Sequence, residues 1–187
     1  MYATDDLRKE HEGIKVALAV LERLADDADE NKPLDVDDIE QIVDFLRTFA
    51  DKCHHGKEED LLFPAMEAVG IPRQGGPIGV MLDDHVQGRK HIATMAESLP
   101  GLRANEAAAR SKFAQGARGY AALLTAHIFK ENNVLFPMAE QYLPEEQHET
   151  LSKGFDEIEE QRIGPGVHEA YHALLDRLDE KYLGSEG

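Results

Sequence analysis

Two copies of one string constrain this chain more than any other feature in it. HHGKEEDLLFP occupies residues 54–64, HIFKENNVLFP occupies residues 127–137, and both read H-x3-E-x3-L-F-P. Residues four apart on a helix stand one above the other on one face. An imidazole and a carboxylate at that spacing can reach the same metal ion, or two adjacent ions. Nine histidines and 21 glutamates in 187 residues give about one H-x3-E pair by chance, so a single pair carries little weight. Two pairs followed by the same L-F-P at the same offset carry much more.

The rest of the chain reads as helix. Helix formers dominate, proline and glycine cluster where turns would fall, and no stretch alternates as a half-buried strand does. The expected helices cover about 4–29, 36–69, 78–98, 104–140, 144–162 and 166–183, with a kink or early end near Phe63 because Pro64 follows it. The expected class is all-α: an up-down antiparallel four-helix bundle over residues 1–140, with residues 141–187 forming a C-terminal helical hairpin packed on it, over one end or at a dimer face.

Other histidines extend the repeat. His11 precedes His54 by 43 residues and His85 precedes His127 by 42, so the chain reads as two helical hairpins. Each offers a lone His on one helix and a His–Glu pair on the next. Midpoints between these histidines fall in the breaker NKP and at Val69-Gly70. The third midpoint, Glu106, misses the breaker Pro100-Gly101, which predicts an irregular segment there or a helix that starts beyond the end of the bundle.

The first copy is ambiguous, because His54–Glu58 and His55–Glu59 share the spacing. At about 100° per residue, His54 falls roughly 20° from Val43 and Leu61, on the edge of the apolar stripe. His55 falls roughly 140° from the centre of that stripe, nearer solvent. Alignment of the two L-F-P strings also equates His54 with His127 and Glu58 with Glu131. The expected inward pair is therefore His54–Glu58.

With EH at 10–11, DDHVQGR at 83–89 and the two long copies, the sequence resembles the hemerythrin-like family of HHE cation-binding domains over about residues 1–140. The resemblance implies a four-helix bundle holding two iron ions bridged by carboxylates. Its ligands would be His11, His54, Glu58, His85, His127 and Glu131. The function it implies is binding of O2 or a related small molecule for sensing, storage or scavenging. The alternative is a di-iron enzyme or stress-repair protein acting on peroxide, NO or damaged iron–sulfur clusters. Imidazole and carboxylate donors without thiolate suit iron, manganese or zinc. Oxygen-carrying hemerythrins have a further His one turn after the third-helix His, where this chain has Arg89. The second iron is accordingly expected to be more open. Tyr120, one heptad before His127, and Arg89 are the candidate outer neighbours of the site, and a plain core tyrosine is the competing reading of Tyr120.

Two weaker patterns lie near the C-terminus. HEAYH at 168–172 matches the H-E-x-x-H of zinc proteases, but no third ligand follows at the spacing that reading needs. Glu145/His148 and Glu169/His172 have the E-x-x-H spacing of ferritin-like bundles and are expected to be exposed.

Composition excludes other classes. A net charge of −17 with no basic stripe argues against nucleic acid and anionic membranes. The longest aliphatic run, VALAVL at 16–21, cannot span a bilayer. The stretch MYATDDLRKEHEG lacks the basic-then-apolar pattern of a signal peptide. Cys53 is the only cysteine, excludes an internal disulfide and is expected to be an inert core thiol. Cytoplasm is the expected location.

Overall fold

In a computed structural model describing residues 2–184, every regular element is helical. Helix α1 is Thr4–Asp29. A second rod begins with α2, Val36–Phe45, where the Asp35 carboxylate accepts from the amides of Asp37 and Asp38 and caps the orphan donors of the first turn. The rod then loosens into two π-helical stretches, Leu46–His55 and Glu58–Leu62, before closing as α3, Phe63–Ala68. The third rod is α4, Pro77–Arg103. The fourth is α5, Ala107–Lys130, followed by a π turn, Glu131–Leu135, and α6, Phe136–Tyr142. Helices α7, Glu145–Arg162, and α8, Val167–Tyr182, complete the order.

The prolines act differently from the sequence expectation. Pro64 does not end its rod, because it sits in the first turn of α3, where a missing N–H costs nothing. The π turn before it sends the Phe63 amide back to the Glu58 carbonyl, and the Phe136 amide likewise reaches Glu131 ahead of Pro137. Each L-F-P therefore closes a π turn that starts at a repeated glutamate. Pro100 lies inside α4, which continues to Arg103 instead of stopping at 98. The reversal falls at 104–106, with Asn105 in the left-handed region at φ 56°. That is where the midpoint of His85 and His127 lies, so no irregular segment is needed.

Two apolar clusters form the core. One gathers Ile14, Leu21, Ala50, Ile92, Phe113 and Leu124, and the other gathers Leu7, Leu62, Phe63, Met81, Leu135 and Phe155. Each rod carries a buried histidine between the two: His11 between Leu7 and Ile14, His54 between Ala50 and Leu62, His85 between Met81 and Ile92, His127 between Leu124 and Leu135. The chain crosses from one cluster to the other in alternating sense on successive rods.

The last two helices dock on these rods. Leu151 and Phe155 of α7 join the second cluster, and Leu175 and Leu178 of α8 join the first. Asp38, almost fully buried, accepts from Arg177, Lys181 and Tyr182 of α8. His148 is buried rather than exposed, its Nδ1 receiving the Ala3 amide at 3.4 Å. Among the described residues no helix is long and apolar enough to cross a membrane.

Candidate metal centre

Between the two apolar clusters the six expected residues converge. His11 Nε2 stands 3.1 Å from His54 Nε2, and His85 Nε2 stands 3.2 Å from His127 Nε2. The two glutamates lie between these pairs. Glu131 directs Oε2 to His11 at 3.2 Å and Oε1 to His127 at 2.9 Å. Glu58 directs Oε1 to His54 at 3.8 Å and Oε2 to His85 at 3.4 Å. Each carboxylate thus offers one oxygen to each histidine pair.

Each imidazole is held from behind. The Nδ1 of His54 donates to Glu10 at 2.7 Å, that of His85 to Glu59 at 2.7 Å, and that of His127 to Asp84 at 3.1 Å; His11 Nδ1 meets the Asn132 side-chain oxygen at 3.0 Å. An ionised carboxylate only accepts, so a proton sits on Nδ1 and Nε2 is the nitrogen that faces inward, the one a metal would take. Two lysines reinforce this. Lys57 binds Glu10, and Lys130 binds Asp84. Burial alone would raise the Glu10 carboxyl, but the His54 bond and the Lys57 ammonium bring it down to about 2.

The outer partners repeat with the motif. Lys57 and Lys130 are equivalent positions of the two copies, each clamping the acid (Glu10, Asp84) that immediately precedes a lone histidine. Glu59 and Asn132 are also equivalent, each orienting the lone histidine of another rod. The two strings share H-x2-K-E, and EH and DH precede or contain the lone histidines. Those signals could have identified the outer partners from sequence.

One residue reverses the sequence reading. His55, expected near solvent, is buried, stacks on His85 with ring centroids 3.8 Å apart, and has no hydrogen-bond partner for either nitrogen. The expected phase assumed 100° per residue throughout. The π-helical stretch Leu46–His55 closes i→i+5 bonds, so each residue advances less and the following side chains rotate. Both His54 and His55 then face the interior. Potential ligand atoms fall into two groups, His11/His54/Glu131 and His55/Glu58/His85/His127, each with its atoms within 4.8 Å of one another. Burial and the neighbouring histidines push the His55 pKa well below its ordinary value, which favours the neutral ring with one nitrogen free to ligate.

Arg89 does not reach the cluster directly. It binds Asp51 and Glu59, each at 2.7 Å, and so stands behind the carboxylate that orients His85. Tyr120 is fully buried in the first apolar cluster and its hydroxyl has no partner; burial holds its pKa well above the ordinary phenol range. Cys53 is buried outside both groups, and burial pushes its thiol up to about 12, in keeping with an inert core residue.

These residues fit a pair of cations. All four oxygens of Glu58 and Glu131 are buried without a properly placed hydrogen-bond donor, and among the described residues only imidazoles form ion pairs with them. Two buried carboxylates faced only by imidazoles would cost several kcal/mol, a cost that bound dications offset.

The family is decided by a match to the hemerythrin HHE cation-binding domain over residues 2–139. The chain belongs to this family. Its hemerythrin-like bundle is therefore a metal-binding domain, and the His/Glu groups above are where a cation can be held. Relatives include uncharacterized proteins of Mycobacterium tuberculosis and Mycobacterium bovis, each 24% identical over 188 residues, covering 97% of this chain and 70% of the relative. No solved structure matches.

Proposed function

We propose that the centre binds two iron ions and uses them to bind O2 or a related small molecule, for sensing, storage or scavenging. The observation that carries this reading is the disposition of the glutamates, one oxygen of each toward each histidine set, which is the arrangement two carboxylate-bridged ions need. The donors are nitrogen and oxygen without thiolate, a set that suits iron. The alternating sense of the four rods supports an up-down antiparallel bundle over residues 1–140. The burial of Phe155 and Leu178 supports treating 141–187 as a helical extension packed on it. A single buried cysteine is consistent with a cytoplasmic setting.

The two ions would not be equivalent. One set supplies His11 and His54, the other supplies His55, His85 and His127, and both share the glutamates. An ion held by the His11/His54 set would be the more open one, because His55 offers the other set, from the second rod, the imidazole that Arg89 cannot. Held there, two adjacent ferrous ions would offer two electrons to one small ligand. The protein's part is to hold the imidazole tautomers through Glu10, Glu59, Asp84 and Asn132, and to keep bulk water out with its two apolar clusters. A second reading is catalytic, with peroxide or NO consumed, and the open position favours it as well. Anaerobic loading with Fe(II) followed by mixing with O2 separates them: a stable visible adduct supports binding, and multiple turnover of added peroxide supports the enzyme. Failure to retain more than about one iron per chain would defeat both.

A further inference from the structure

The internal geometry of the centre occurs a third time, outside it. On α8, His168 Nε2 stands 2.8 Å from His172 Nε2, and His168 Nδ1 donates to Glu159 Oε1 at 2.6 Å. The buried pairs look the same: two Nε2 atoms facing each other, with a carboxylate behind a ring. Glu159 is itself fixed, since its other oxygen accepts from Lys57 at 3.0 Å. Both histidines line a cavity of about 440 Å³ between the bundle and the C-terminal hairpin, whose wall also includes Glu10 and Lys57.

We propose that His168 and His172 form a separate mononuclear site for a divalent first-row cation that favours imidazole, such as zinc, nickel or copper. The site uses none of the imidazoles of the buried centre and meets its outer partners only through Lys57 and Glu10. Residues four apart on a helix present both rings to one side. Glu159 fixes the His168 proton on Nδ1, leaving the Nε2 lone pair toward His172. With zinc at about 2.0–2.1 Å from each nitrogen, the rings need to part only slightly, and the ion replaces the proton they share. The remaining coordination positions open to water in the cavity. Calcium and magnesium, which take oxygen donors, would not be held. The site is not that of a zinc protease: Glu169, the would-be general base of HEAYH, is exposed and does not line the cavity.

The probe is Zn2+ added to iron-replete protein, followed by desalting and a count of zinc and iron per chain. The expected result is one zinc per chain more than in the H168A/H172A double variant, with iron unchanged. Equal zinc in both proteins, or none in either, overturns the site. Because the double variant could loosen α8, Glu159→Gln provides a second test that leaves both imidazoles in place. Its zinc affinity should fall roughly 10–100-fold, and an unchanged affinity contradicts an oriented pair. Mg2+ in place of Zn2+ should give no retained ion, and retention equal to that of zinc also counts against the assignment.

Discussion

The two copies of the repeat bring imidazoles to the centre by different means. In the second copy a single π turn, Glu131–Leu135, follows a regular helix, and the position after His127 is Ile128, a core side chain. In the first copy a longer π-helical stretch precedes the histidines, and the corresponding position, His55, turns inward against His85. The rest is matched: His, Lys, Glu and L-F-P occupy equivalent positions, and each Lys clamps the acid behind its own copy's histidine. The difference shows that one extra imidazole can be turned inward by changing the pitch of a helix, with no change on another rod.

The largest expected effect comes from what the halves share. Glu58→Ala or Glu131→Ala removes an oxygen from both sets at once, so metal analysis should find both ions lost, and retention of two ions would show that the carboxylates do not bridge. Smaller in effect on the metal, but decisive for the asymmetry, are swaps at the unmatched position. His55→Ile makes the first copy resemble the second and should leave two ions held in similar sets, with weakened affinity. Ile128→Ala should leave metal content alone while lowering stability by about 2–5 kcal/mol, as core truncations do. Chemical denaturation and metal analysis on the same samples distinguish the two outcomes.

Next come the outer carboxylates. Glu10→Gln and Asp84→Asn each disturb one imidazole's orientation, and metal affinity should fall roughly 10–100-fold in either variant. A loss in only one of them would mean that the halves are not equivalently supported. The smallest effect concerns the appended helices. Burial would raise the Asp38 carboxyl, but Lys181, Tyr182 and Arg177 hold it below its ordinary 3.8. Its contribution to docking α8 is therefore complete above that value and is lost as pH falls through the lowered folded-state pKa. Hydrogen exchange should show α8 opening at acid pH before the four rods do. Simultaneous opening would argue against Asp38 as the clamp.

Much of this was legible in the sequence because repetition survives changes in detail. The shared L-F-P paired His54 with His127 and Glu58 with Glu131 without any knowledge of the fold. The equal spacing of the lone histidines brought in His11 and His85. The inward turn of His55 escapes a reading that assumes a constant 100° per residue. A π turn leaves no pattern of its own in the composition, so the rotation that buries His55 was not visible. Helix α4 outruns its expected end because Pro100 is tolerated near a helix terminus, where tertiary packing outweighs the local penalty. The burial of His148 is invisible in local sequence because its partner, the Ala3 amide, is 145 residues away.

The proposed centre requires two bridged ions in unequal sets, with His55 belonging to one of them. Mössbauer spectroscopy of the iron-loaded protein tests it directly. The wild-type chain should show two iron environments in equal amounts, and His55→Ile should bring them together. A single environment or a single iron in the wild type, or two environments unchanged in the variant, would contradict it.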